Sequence, residues 1–195
     1  MRLPTFLANY RRFATDAAQA NQSYEQFLLA LAEQELAQRD RHREARLIHG
    51  ARFPVLKELA DFDFTSVPDL NKVLVVELAQ GHYLRRAEPV ILVRNPGLGK
   101  THIAIGLALA ACRQGHRVRF YTAAGLVNEL LQAQDEHRGQ RVINQALRCQ
   151  LVVVDELGFI SFSEVGGQVM FQFCSALHER VALLVTTNLR FADWT

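Results

Sequence analysis

Pro89-Val90-Ile91-Leu92-Val93-Arg94-Asn95-Pro96-Gly97-Leu98-Gly99-Lys100-Thr101 sets the architecture of this chain. Its first five residues form an apolar run of strand length. A helical pattern follows from Lys100 to about Gln114, stopped by Gly115. Between them, Arg94 to Thr101 reads as a G-x-x-x-x-G-K-[ST] phosphate loop whose first glycine is replaced by Arg94. The chemistry asks for this composition. Backbone N–H groups must wrap a phosphate at a helix N-terminus, and Gly97 and Gly99 keep Cβ atoms out of the way. Lys100 is placed to reach the β- and γ-phosphates of ATP, and the Thr101 hydroxyl suits Mg2+. Asn95, Pro96, Leu98 and His102 complete the candidate cofactor-binding run. Taken alone, the match also fits an ordinary strand-to-helix turn. An arginine at the first position either crowds the loop or points outward, so weakened nucleotide affinity on an intact fold is expected.

Two later segments change that balance. Leu151-Val152-Val153-Val154-Asp155-Glu156 is a buried strand ending in adjacent carboxylates. Unpaired buried charge is costly, so such a strand needs a reason. Behind a phosphate loop the reason is catalytic. Asp155 would hold Mg2+ through its water shell, and Glu156 would orient and activate the attacking water. By itself the same pattern describes a strand emerging into solvent. The run Ala182 to Thr186 is followed by Thr187 and Asn188. An amide at the C-terminal end of a parallel strand faces the ligand crevice, where Asn188 would sense the γ-phosphate. The plainer reading of Asn188 is a turn residue.

Outward from these segments, the chain alternates. Helix signals at about 69–79, 100–114, 123–134, 139–147 and 164–179 separate strand signals at 89–93, 117–121, 151–154 and 182–186. That order predicts an α/β fold, a P-loop parallel sheet with flanking helices. The first sixty residues differ. Phe6, Tyr10, Phe13 and Ala17 share one helix face. Ser23 and Gln26 form a capping box ahead of a Tyr24, Phe27, Leu28, Leu31 stripe, and the helix runs to about Ile48 with Gly50 as its stop. The expected division is a small helical N-terminal domain, residues 1–60, and a core, residues 61–195.

Composition excludes several classes. Of 195 residues, 49% are hydrophobic, enough for one ordinary core. The formal net charge of +2 draws the whole chain to no polyanion. Cys112, Cys149 and Cys174 form no Cys-x-x-Cys pair, and the histidines show no ligand spacing, so disulfide frames and zinc sites are not expected. The apolar run Ile103 to Cys112 is too short for a membrane span, and the N-terminus is not a signal peptide; a cytoplasmic chain is expected. Local charge is more telling. Arg39, Arg43 and Arg46 fall on a narrow stripe of one helix face, with Arg52 beyond them. The stripe can follow DNA phosphates without reading bases. A solvated helix face is the competing reading.

With those residues in view, the chain resembles the IstB-like ATP-binding proteins, helper ATPases of insertion sequences, similar to DnaC helicase loaders within the AAA+ class. The resemblance rests on Arg52-Phe53-Pro54-Val55-Leu56-Lys57, Asp61-Phe62-Asp63-Phe64, Asn95 to His102, Arg117 to Leu131, Asp155-Glu156-Leu157-Gly158-Phe159 and Thr186-Thr187-Asn188-Leu189. It implies a helical N-terminal domain joining a AAA+ core to double-stranded DNA, ATP-dependent homo-oligomeric assembly there, and stimulation of a partner transposase. It also implies that Phe62 and Phe64 lie near the adenine. Two departures stand out. Arg94 replaces a glycine, and the chain ends at Thr195, after Phe191-Ala192-Asp193-Trp194, where the resemblance implies further helices, a last strand and an arginine serving a neighbour's site. The expectation is a core lacking its C-terminal part, a truncated or decaying copy with impaired turnover. A helicase loader and a catalytically impaired DNA-binding or interaction remnant are the alternative functions.

Overall fold

The computed structural model describes residues 3–135, 139–158 and 163–189. Phe159 and residues 191–195, which carry parts of the motifs above, lie outside the described residues. The chain forms two compact units, Met1–Arg46 and Leu47–Thr195.

In the first unit, α1 (Pro4–Gln19) opens with proline at its first turn, where a missing N–H costs nothing. Its orphan N–H groups at Thr5 and Phe6 donate to the carboxylate of Glu35 at 2.9 and 3.3 Å. Glu35 lies in α2 (Tyr24–Ala51), and Arg39 pairs with it at 2.8 Å. The capping box forms as read. Ser23 N–H donates to Gln26 Oε1 at 3.0 Å, and Gln26 N–H donates to Ser23 Oγ at 3.3 Å. The apolar stripe is only partly buried: Leu31 is enclosed, whereas Tyr24 and Leu28 are exposed. Gly50 does not stop α2, which runs to Ala51. Arg52 takes the left-handed turn instead, at φ 59°.

The second unit begins earlier than the expected boundary at residue 61. Ala51 is fully buried in its core, with Leu47, Ile48, Phe53 and Leu59 packed around it. After α3 (Lys72–Ala79) and the short α4 (His82–Arg85), the alternation reads β1 (Val90–Val93), α5 (Lys100–Arg113), β2 (Val118–Thr122), α6 (Ala123–Asp135), α7 (Gly139–Ala146), β3 (Leu151–Leu157), α8 (Glu164–Leu177) and β4 (Ala182–Thr187). Helix α3 starts later than the expected residue 69. Asn71 caps it, its side chain accepting from Leu74 N–H.

The four strands form one parallel sheet in the order β1-β4-β3-β2. Successive side chains of a strand leave on opposite faces. Leu151 and Val153 pack with α5, while Val152 and Val154 pack with α6, α7 and α8. Helix α5 is buried on nearly every side, from Ile103 through Cys112, which explains its weak apolar periodicity. Among the described residues β1 pairs only with β4, and Ile91 on it is partly exposed. No described helix is long and apolar enough to cross a membrane.

Candidate phosphate-binding site

The loop between β1 and α5 sits at the C-terminal edge of the sheet, beside the ends of β3 and β4. Gly97 and Gly99 both adopt positive φ, 80° and 78°, a region that residues with a Cβ avoid. A Cβ on Gly99 would also run into the Phe62 ring. Lys100 starts α5, and its Nζ donates to the carbonyls of Arg94 and Asn95 at 2.8 and 2.9 Å. Desolvation pushes the Lys100 ammonium below its ordinary pKa, against the opposing pull of Asp155 and Glu156.

A cavity of about 290 Å³ opens over this loop, lined by Pro96, Gly97, Gly99, Lys100, Thr101 and His102 and closed by Glu156, Thr186, Asn188 and Lys57. Asp155 lies one layer behind, only 4% exposed. Its Oδ1 accepts hydrogen bonds from the Thr101 hydroxyl at 3.0 Å and from the Thr186 hydroxyl at 2.5 Å. Thr186 in turn accepts from Glu156 N–H at 2.9 Å. That bond holds Glu156 at φ 62°, where the β3–β4 register shifts. A non-glycine residue in this region carries strain, and here the strain turns the residue after Asp155 toward the cavity. Buried Asp155 and the neighbouring Thr101 hydroxyl are hard oxygen donors at the first turn of α5. They fit Mg2+ bound with a polyphosphate.

The remaining expected residues are placed differently. Asn95 contributes its carbonyl to Lys100 rather than a cavity wall. Leu98 and Arg94 line a second cavity of about 260 Å³, with Val67, Asp69, Leu70 and Ile103. Arg94 is therefore not part of the lining of the loop cavity. Its Nη2 pairs with Asp69 at 2.9 Å, its Nη1 is buried without a partner among the described residues, and its backbone N–H extends the sheet to Thr187 O at 3.2 Å. Phe62 packs edge-on to His102 at 5.2 Å and to Phe64 at 4.9 Å, and neither phenylalanine lines the phosphate cavity. Of the basic stripe, Arg39, Arg43 and Arg46 lie exposed along α2, Arg39 held by Glu35 and Arg46 by the His42 carbonyl at 3.2 Å. Arg52 belongs to the second unit, where it lines a cleft with Arg119. Sequence reading missed Thr186 and Lys57 as members of the site. Only the position of Thr186 beside Thr187-Asn188 could have suggested it.

The family model described as IstB-like ATP binding protein matches residues 1–195. The insertion sequence IS21 putative ATP-binding protein of Pseudomonas aeruginosa is 35% identical over 179 residues, covering 91% of this chain and 67% of that protein. The corresponding IS5376 protein of Geobacillus stearothermophilus is 28% identical over 194 residues, covering 100% of this chain and 77% of its own length. Among solved structures, the DnaC helicase loader matches with a TM-score of 0.55 at 20% identity, over 61% of this chain and 68% of that one. That likeness is one of fold, the P-loop AAA+ sheet with its flanking helices.

Proposed function

The chain belongs to the family of IstB-like ATP-binding proteins, and on that premise we propose that it is an ATPase that assembles on double-stranded DNA and stimulates a partner transposase. The observation that carries the catalytic part is the buried Asp155, tied to Thr101 and Thr186 directly behind a glycine-shaped lysine loop. Such an acid is satisfied in the protein yet stands where phosphate charge would be drawn in. Lys100 turns from the loop carbonyls to the β- and γ-phosphates. Thr101 and Asp155 would hold Mg2+, which when bound neutralises phosphate charge. Glu156 orients the attacking water and takes its proton, and Asn188, on the same cavity wall, positions that water or the γ-phosphate. Phe62, packed against Gly99 and His102, and Phe64 beside it would lie near the base.

The DNA and transposase parts of the proposal draw on the names of the relatives, which are proteins of insertion sequences. Arg39, Arg43, Arg46 and Arg52 supply phosphate contacts, and homo-oligomeric assembly would place many such stripes along one duplex. The test is ATP hydrolysis by the full chain with and without duplex DNA and transposase. Glu156→Gln should keep nucleotide binding and lose roughly a hundredfold or more in turnover, the usual worth of a general base. Lys100→Ala should lose binding. Hydrolysis at the wild-type rate in both variants would reject the site.

A further inference from the structure

Lys57 lines the phosphate cavity together with Lys100, although no phosphate-loop motif calls for it. It is half-buried and has no hydrogen-bond or ion-pair partner among the described residues. Its ammonium is the second lysine head in the lining of a glycine-loop cavity, and no protein acceptor among the described residues competes for it. The side chain is not there by the accident of a loose loop. The next residue is fastened to both ends of α5. The Glu58 carboxylate accepts from Arg113, in the last turn, at 2.6 and 2.5 Å, and the Glu58 carbonyl accepts from His102 Nε2, in the first turn, at 2.7 Å. Leu59 packs so closely on Gly106, midway along α5, that a Cβ there would come within 2.6 Å of it. The strap 57–59 is thus fixed along the helix whose N-terminus forms the phosphate site.

Charge points the same way. Lys100 and Glu156 both line the cavity, and the charges of Asp155 and Glu156 both act on the Lys100 ammonium. Bound Mg2+ would offset the two carboxylates, and the further negative charge of a triphosphate is what a second ammonium can meet. Lys57 adds a second ammonium to the cavity that Glu156, Thr186 and Asn188 also line.

We propose that Lys57 is a second phosphate-binding cation of this site, donated by the strap ahead of the core, and that it favours nucleoside triphosphate over diphosphate. The proposal rests on the ATP-binding reading above. The experiment titrates fluorescent analogues of ATPγS and ADP, with Mg2+, into the full chain and its Lys57→Ala, Lys57→Arg and Lys100→Ala variants. Thermal melting controls for folding. Lys57→Ala should weaken the triphosphate analogue about tenfold or more, the worth of one charged hydrogen bond. It should weaken the diphosphate less, and Lys57→Arg should recover most of the loss at an unchanged melting temperature. Equal losses for both nucleotides, or none, while Lys100→Ala still abolishes binding, would overturn the role of Lys57 alone. A wild-type chain that binds neither nucleotide would overturn the ATP-binding reading and this proposal with it.

Discussion

At the level of single residues, Arg94 separates what a motif says from what a side chain does. The loop pattern wants glycine there, and an arginine is expected either to crowd the loop or to point outward. In the folded chain the side chain leaves toward Asp69, and Arg94 is absent from the residues with positive φ. Nothing at that position therefore needs glycine's freedom. Replacing Arg94 by Gly should change Mg·ATP affinity by no more than about fivefold, the reach of one partly exposed ion pair. A fluorescent-nucleotide titration decides this, and a gain of a hundredfold would mean that Arg94 does obstruct the phosphates. Thr186 teaches the converse. Read alone it is a strand residue, and only the approach of β3 to β4 makes its hydroxyl the link between Asp155 and Glu156 N–H.

Among elements, helix α5 and the strap beside it form the smallest piece with its own pH response. The Arg113 hydrogen bonds hold the Glu58 carboxyl below its ordinary pKa, outweighing desolvation. A carboxylate depressed in the folded state stabilises it above the unfolded pKa. That contribution is lost as pH falls below the unfolded glutamate value of about 4.3 and through the lower folded one. Because both groups are substantially exposed, the effect is a modest one. Arg113→Ala should flatten the acid side of the melting-temperature profile in that window and leave the neutral-to-alkaline side parallel to wild type. Melting curves from pH 3 to 8 check the prediction, and unchanged acid sensitivity would contradict it. Helix α2 shows why element ends were less legible. Gly50 looked like a stop, but burial of Ala51 against the core favours one more turn, and Arg52 absorbs the left-handed conformation.

For the molecule as a whole, the proposed DNA interaction is electrostatic and should behave so. Arg43→Gln with Arg46→Gln should weaken binding to unrelated duplexes alike and lower the slope of log affinity against log salt by about 2, roughly one for each phosphate no longer neutralised. Fluorescence anisotropy across a salt series reads this, and an unchanged slope would place the DNA on another face. The parallel α/β core and the lysine loop were legible in the order of residues alone. Strand, glycine loop and helix are local patterns, set by periodicity and backbone freedom within a few residues. Asp155 and Glu156 were legible as candidates too, because adjacent carboxylates at the end of an apolar strand are conspicuous in one dimension. Folding in three dimensions was needed to turn Arg94 away, to complete the acid network with Thr186, to pack residues 47–60 with the core, and to bring Lys57 to the phosphate cavity. Each of these depends on which distant segment lies alongside, a matter of packing between elements that no local pattern records.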